Sequence, residues 1–271
     1  MLRNALIALL AVMAVSTVMG QRFTSLNDEF PFARTRCVYQ DTFGFLWFGT
    51  VDGLVKFDGL STRTYRNAPD DPLSLPGQEI LAITENSDTT LLLGFQDMGL
   101  VHFNRNTGRS QLLKINGEQE RLSVFCLLID HNGVVWAGTD RGLFAMDEDS
   151  AMHYSADASD GHGLQNPVVL SLYEDHHRNL WIGTYAGIHL LDRQSGQFTH
   201  PGTNASFPDD IIIDIEEDRE GRLWVSERLG PVRLSTWDQE ARRFHVEDRF
   251  VRDGEFRIDF DVQNTMWISS R

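Results

Sequence analysis

Seven side chains suited to holding a ligand, Asp52, Asp97, Asp140, Arg141, Tyr185, Glu227 and Arg228, fall at intervals of 42 to 45 residues once sequence neighbours are paired. Carboxylates, guanidinium groups and a phenol gathered on one surface can bind the hydroxyl and charged groups of a small molecule or an oligosaccharide. Polar residues also populate exposed loops for solubility alone, so their regular spacing is more informative than their types. Arrangements for covalent or metal chemistry are not found: there is no H-E-x-x-H, G-x-S-x-G, P-loop or C-x-x-C motif. His176 and His177 would need a third ligand to hold a metal. Asp41, Asp130, Asp175 and Asp218 lack the multi-oxygen spacing of a calcium loop. No metal and no cofactor is expected.

The elements that must position these residues come from a repeat. The phrase "GFLWFGTVDGLVKFDG" at 44–59 returns as "GVVWAGTDRGLFAMD" at 133–147 and "NLWIGTYAGIHLLD" at 179–192, with weaker copies at 90–104, 221–235 and 265–269. With Trp47, Leu92, Trp136, Trp181, Trp224 and Trp267 taken as equivalent, the spacings are 45, 44, 45, 43 and 43. Each unit reads as four short strands. The first is an apolar alternation (Val38, Leu127, Leu172, Ile215, Ile258). A D-x-x-G turn then opens on Asp41, Asn86, Asp130, Asp175, Asp218 or Asp261, where the carboxylate bonds its own backbone. The second strand carries the tryptophan, a G-T-x-x-G loop leads to the third, and a fourth follows in "TRTY", "MHY", "QFTH" and "RRFH".

Four strands per unit and a period in the forties predict an all-β chain, a β-propeller of four-stranded blades. The expected blades are 34–66, 79–113, 123–155, 168–200 and 211–246, with a partial sixth at 255–271, in what would be an incomplete ring of about seven. The tryptophans Trp47, Trp136, Trp181, Trp224 and Trp267 are read as structural wedges between blades, the aspartates Asp41, Asp130, Asp175 and Asp218 as turn formers, and the out-of-register Trp237 as local packing. In a propeller the loops after the second and fourth strands meet around the central channel, which places the seven ligand-type residues on that face and the two turn histidines on the other. Cys37 and Cys126 share a small-residue slot with Ala82, Ser171 and Asp214 in different blades, too far apart for a disulfide; two free thiols are expected.

Residues 1–20, with Arg3 ahead of an apolar run from Ala5 to Val18 and small residues near Gly20, form a signal-peptide pattern, an uncleaved anchor being the alternative. That leaves 21–271 as the propeller, in a periplasmic or other extracytoplasmic location. The formal charge of −15 sets the chain against nucleic acid and anionic membranes as partners.

The stretches "QDTFGFLWFGTVDGLVKFDG", "YRNAPDDPLSLPGQEI" and "EDHHRNLWIGTYAGIHLLD" resemble the two-component regulator propeller family, whose motif D-x-x-G-x-[LV]-W-[IVFA]-G-T-x-x-G-[LI] they follow. The resemblance runs over 34–271, with the second and fifth units degenerate. It implies the sensor region of a membrane histidine kinase, hybrid kinase or diguanylate cyclase, with membrane contact and a possible homodimer supplied by segments beyond this sequence and no chemistry in the propeller itself. With the sequence stopping in the second strand of a sixth unit, an incomplete sensor is expected, in which residues 22–30 would pair with a final blade. Two alternatives stay open. One is a lyase of the streptogramin or polysaccharide type, for which His102 or His189 would be the general base. The other is a secreted scaffold that binds protein.

Overall fold

In the computed structural model the described residues are 34–115, 121–147, 151–156, 163–201, 211–228, 233–238, 243–249, 256–260 and 264–270. The expected signal peptide, the strand expected at 22–30 and Asp261 lie outside them. All the described residues belong to one compact unit, Phe32–Arg271.

The fold is an all-β propeller. Blade 1 is β1 (Thr35–Gln40), β2 (Leu46–Thr50), β3 (Gly53–Phe57) and β4 (Thr62–Tyr65), and blade 2 is β5 (Ile80–Ser87), β6 (Thr90–Phe95), β7 (Gly99–Asn104) and β8 (Arg109–Leu112). Blade 3 is β9 (Val124–Ile129), β10 (Val135–Thr139), β11 (Gly142–Met146) and β12 (Ala151–Tyr154), and blade 4 is β13 (Val169–Glu174), β14 (Leu180–Thr184), β15 (Gly187–Asp192) and β16 (Gln197–Thr199). Blade 5 is β17 (Ile212–Glu217), β18 (Leu223–Glu227), β19 (Arg233–Asp238) and β20 (Arg243–Arg249); β21 (Phe256–Phe260) and β22 (Met266–Ser270) form a two-stranded sixth sheet. Every sheet is an antiparallel meander in chain order. First strands pack successively, β1 on β5, β5 on β9, β9 on β13, β13 on β17 and β17 on β21.

Both the wedge and the turn follow from one pair of residues per blade. Trp47 is fully buried and packs on Ile80, Leu91 and Phe103 of blade 2. Trp136 meets Val169 and Leu180 of blade 4, and Trp181 meets Ile212 and Val225 of blade 5. A buried indole N–H needs an acceptor, and the turn aspartate supplies it: Nε1 donates to Asp41 Oδ2 at 2.8 Å, to Asp130 at 2.9 Å, to Asp175 at 2.8 Å and to Asp218 at 2.9 Å from Trp47, Trp136, Trp181 and Trp224. The other oxygen of Asp41 accepts the backbone N–H groups of Phe43 and Phe45. These aspartates therefore shape the turn, as expected, and also satisfy the wedge. In blade 2 leucine replaces the tryptophan and Asn86 replaces the aspartate. Asn86 opens no turn there: it lies inside β5, and a two-residue turn at 88–89 joins β5 to β6.

Trp237 corrects its reading as local packing, because its ring stands edge-on to Trp181 of the preceding blade, centroids 4.7 Å apart. Neither cysteine is in a disulfide, and each thiol is directed at a carbonyl of the next blade, Cys37 Sγ at Ile80 O and Cys126 Sγ at Val169 O. The slot is narrow: a Cβ on Gly49 would stand 2.5 Å from Cys37 Sγ, so the facing strand carries glycine.

Candidate functional site

The six first strands enclose a cavity of about 1110 Å³ along the centre of the propeller. Its lining follows from a defect repeated in each complete blade. The ladder between first and second strands slips by one residue in all five, between Thr35 and Cys37, Ile80 and Ala82, Val124 and Cys126, Val169 and Ser171, and Ile212 and Asp214. The extra residue of each bulge is Arg36, Leu81, Phe125, Leu170 or Ile213, and all five line the cavity. A β-bulge re-aims one side chain without ending the strand; here it turns one side chain per blade inward. Four of the five are apolar, and Arg36 is neutralised by Glu79 at 2.6 Å.

The wall contributed by blades 5 and 6 is ionisable. Asp214 and Arg257 occupy, on β17 and β21, the slot that holds Cys37, Ala82, Cys126 and Ser171 in the earlier blades, and Glu216 and Asp259 stand two residues further along. Asp214 Oδ2 accepts the backbone N–H of Ile258 at 2.8 Å, fastening β17 to β21. Burial pushes the Asp214 carboxyl up to about 6 against the lowering effect of Arg257. Burial, then the charges of Asp214 and Asp259, push Glu216 up to about 9, so Glu216 is protonated at neutral pH.

Of the seven residues singled out from sequence, two reach this cavity: Tyr185, 39 % exposed, and Arg228. Asp52 is half-buried and ion-paired with Arg66 at 2.8 Å. Asp97 and Asp140 are engaged in structure, since Ser123 Oγ donates to Asp97 at 3.0 Å and the Ser123 N–H donates to Asp140 at 3.0 Å, joining blades 2 and 3. Arg141 lends its carbonyl oxygen to His153 Nε2 at 2.8 Å. Glu227, expected on the rim, is 1 % exposed because it ends β18 inside the blade. His102 and His189 are absent from the cavity lining; His189 lies fully buried on β15, its Nε2 accepting the Gln165 N–H at 3.2 Å. Asp214, Glu216, Arg257, Asp259 and the bulge residues were missed by sequence reasoning. For Asp214 and Arg257 the signal was present as charge in a slot that is otherwise small and uncharged; Glu216 and Asp259 share their position with Tyr39, Thr84, Leu128 and Tyr173, a set with no common pattern.

The opposite face carries clasps between blades. Glu174 accepts the backbone N–H of His131 at 2.9 Å and its ring Nδ1–H at 2.6 Å, and Glu217 treats His176 alike. In blade 1, Thr42 gives its N–H and hydroxyl to Glu85. Asp130, His131 and Glu174 bring ligand atoms within 4.8 Å of one another, as a metal site would. A cation is already there: the Arg193 guanidinium stands 2.7 Å from Glu174 and 3.5 Å from Asp130. Arg105 does the same for Asp41 and Glu85 between blades 1 and 2.

Comparison with known proteins agrees with this fold. The family model described as "Two component regulator propeller" matches residues 163–186 and 206–226, so the chain carries repeats of that type. A 38-residue stretch is 53 % identical to histidine kinase P4 of Formosa agariphila, over 14 % of this chain and 3 % of the kinase. Among solved structures, the extracellular domain of a protein described as a hybrid two component system from B. thetaiotaomicron superposes with a TM-score of 0.70 at 20 % identity, covering 86 % of this chain and 32 % of that one. Virginiamycin B lyase from Staphylococcus aureus superposes with a TM-score of 0.66 at 14 % identity, covering 89 % of this chain and 78 % of the lyase. At such identities the structural likeness speaks for the fold. The chain spans under a third of the first of these structures and a few per cent of the kinase.

Proposed function

We propose that this chain is the ligand-sensing propeller of a signal-transduction protein, working outside the cytoplasm. It takes a small molecule or oligosaccharide into its central channel and passes the occupancy to a kinase or cyclase module carried elsewhere in the same system. One observation carries the reading: five bulges, one per complete blade, spend ladder hydrogen bonds to aim five side chains into one channel, an expense that packing alone does not require. The family repeats and the extracellular two-component neighbours support the signalling half.

The lyase reading draws on the likeness to virginiamycin B lyase. It lacks a histidine at the channel, where the described lining offers carboxyl, guanidinium and phenol groups. An enzyme would turn substrate over; a sensor would bind and hold it. The deciding experiment is a screen of neutral, acidic and amino oligosaccharides and small metabolites by thermal shift, with turnover followed under saturating ligand. A hit that loses affinity in Tyr185→Ala and Arg228→Ala and is recovered unchanged supports the sensor. Product formation overturns it.

A further inference from the structure

The two halves of the cavity wall differ in chemistry. On blades 2 to 5 the bulge residues Leu81, Phe125, Leu170 and Ile213 form an apolar girdle at one level of the channel, all four partly accessible to it. Asp214, Glu216 and Asp259 stand on the wall formed by β17 and β21. An apolar girdle inside a water-filled channel is unfavourable unless something apolar covers it. Three carboxyl groups on adjacent strands are unfavourable together unless a proton or a cation separates them.

We infer that the channel takes an amphipathic cation, a molecule whose apolar body lies on Leu81, Phe125, Leu170 and Ile213 and whose ammonium group lies against Asp214, Glu216 and Asp259. The inference rests on the channel being the ligand site and narrows the class of ligand that site takes. The remaining charges on the wall agree with it. Of the three arginines in the lining, Arg36 is paired with Glu79, Arg257 stands beside Asp214 in the neighbouring slot, and Arg228 lies beside Ile211, at the end of β17 away from Glu216, leaving Glu216 and Asp259 to meet an incoming charge. Without a ligand, Glu216 keeps its proton because burial and its two carboxylate neighbours disfavour the anion. An ammonium group reverses that preference, and the proton leaves to solvent as the cation enters. Tyr173 on β13 also feels the charge of Glu216; burial first, then that charge, raise its phenol well above the ordinary 10, so it stays neutral and adds no charge of its own.

The test uses the intact chain and three eight-carbon probes below their micelle concentrations: n-octylammonium, n-octyl glucoside and n-octyl sulfate, titrated by calorimetry. Octylammonium should bind at least tenfold tighter than octyl sulfate. Its affinity over n-butylammonium should grow by roughly fourfold for each added methylene that meets the girdle. Glu216→Gln with Asp259→Asn should remove the preference for the cation while leaving octyl glucoside unchanged. Phe125→Ser with Leu170→Ser should weaken all three, and the chain-length series on the unmodified protein gives the same answer should that variant fail to fold. Equal affinity for octylammonium and octyl sulfate, or for butyl and octyl chains, overturns the inference. In either case, a different compound that slows alkylation of the channel thiol Cys37 leaves the channel standing as the ligand site. If no compound slows it, the sensor reading falls too.

Discussion

His189 occupies a place in the strand ladder where the equivalent residues are Val55, Val101 and Phe144, and it is fully buried. Burial first, then the neighbouring His200, lower its pKa to about 3 from an ordinary 6.5. The folded protein therefore holds the neutral ring where the unfolded chain takes up a proton, and stability falls as pH drops from 6.5 toward 3, by roughly 1.4 kcal/mol per unit. His189→Val should flatten that acid limb, which urea titrations at pH 7 and pH 5 would measure; an unchanged pH dependence contradicts the assignment. Glu216 has the opposite sign. Its folded pKa is raised, so stability declines as pH rises from about 4.5 toward 9, and Glu216→Gln should be more stable than the parent at pH 8 with the gap closing toward pH 4.5. Neither group could have been identified from sequence alone. A histidine or glutamate in a strand reads the same whether it faces a neighbouring blade, a channel or solvent, and only the ladder register decides.

At the level of elements, blades are held by two devices: a tryptophan wedge hydrogen-bonded to its own turn, and a guanidinium clasp to the next blade. Trp181→Ala should cost about 3 to 5 kcal/mol on denaturant titration, since it removes a fully buried ring and leaves Asn179 as the side-chain donor to Asp175 Oδ2. Tyr185→Ala, four residues on and facing the channel, should cost under about 1 kcal/mol. Arg105→Ala should cost about 3 to 5 kcal/mol, because the guanidinium, 3 % exposed, is the cation between the carboxylates of Asp41 and Glu85. Arg66→Ala, from an exposed pair with Asp52, should cost under about 1 kcal/mol. If the two arginine variants lose equal stability, the clasp is not what holds blades 1 and 2 together. The wedge was legible because tryptophan recurs at near-constant spacing. The clasp was hidden, because Arg105 and Arg193 lie in turns of unremarkable composition and reach acceptors 64 and 63 positions away in sequence. The bulges were hidden for a related reason. An extra leucine or phenylalanine in an apolar strand looks like core, and only the pairing ladder shows that it turns the other way.

Across the whole molecule, the repeat fixed the architecture from sequence, while the proposed ligand site depends on which strand positions face inward, and of the seven residues expected to bind ligand only Tyr185 and Arg228 reach it. The account stands on the bulge-lined channel being the place where ligand binds, and the chain contains its own reporter. Cys37 lines that channel; Cys126, in the same slot two blades on, does not, and burial pushes its thiol up to about 12. The most direct measurement is the rate of iodoacetamide labelling at each cysteine in the native protein, with and without a saturating ligand. Cys37 should react first, with Cys126 labelled only on unfolding, and ligand should slow Cys37 alone. Faster reaction at Cys126, or a Cys37 rate indifferent to saturating ligand, would contradict the channel as the binding site.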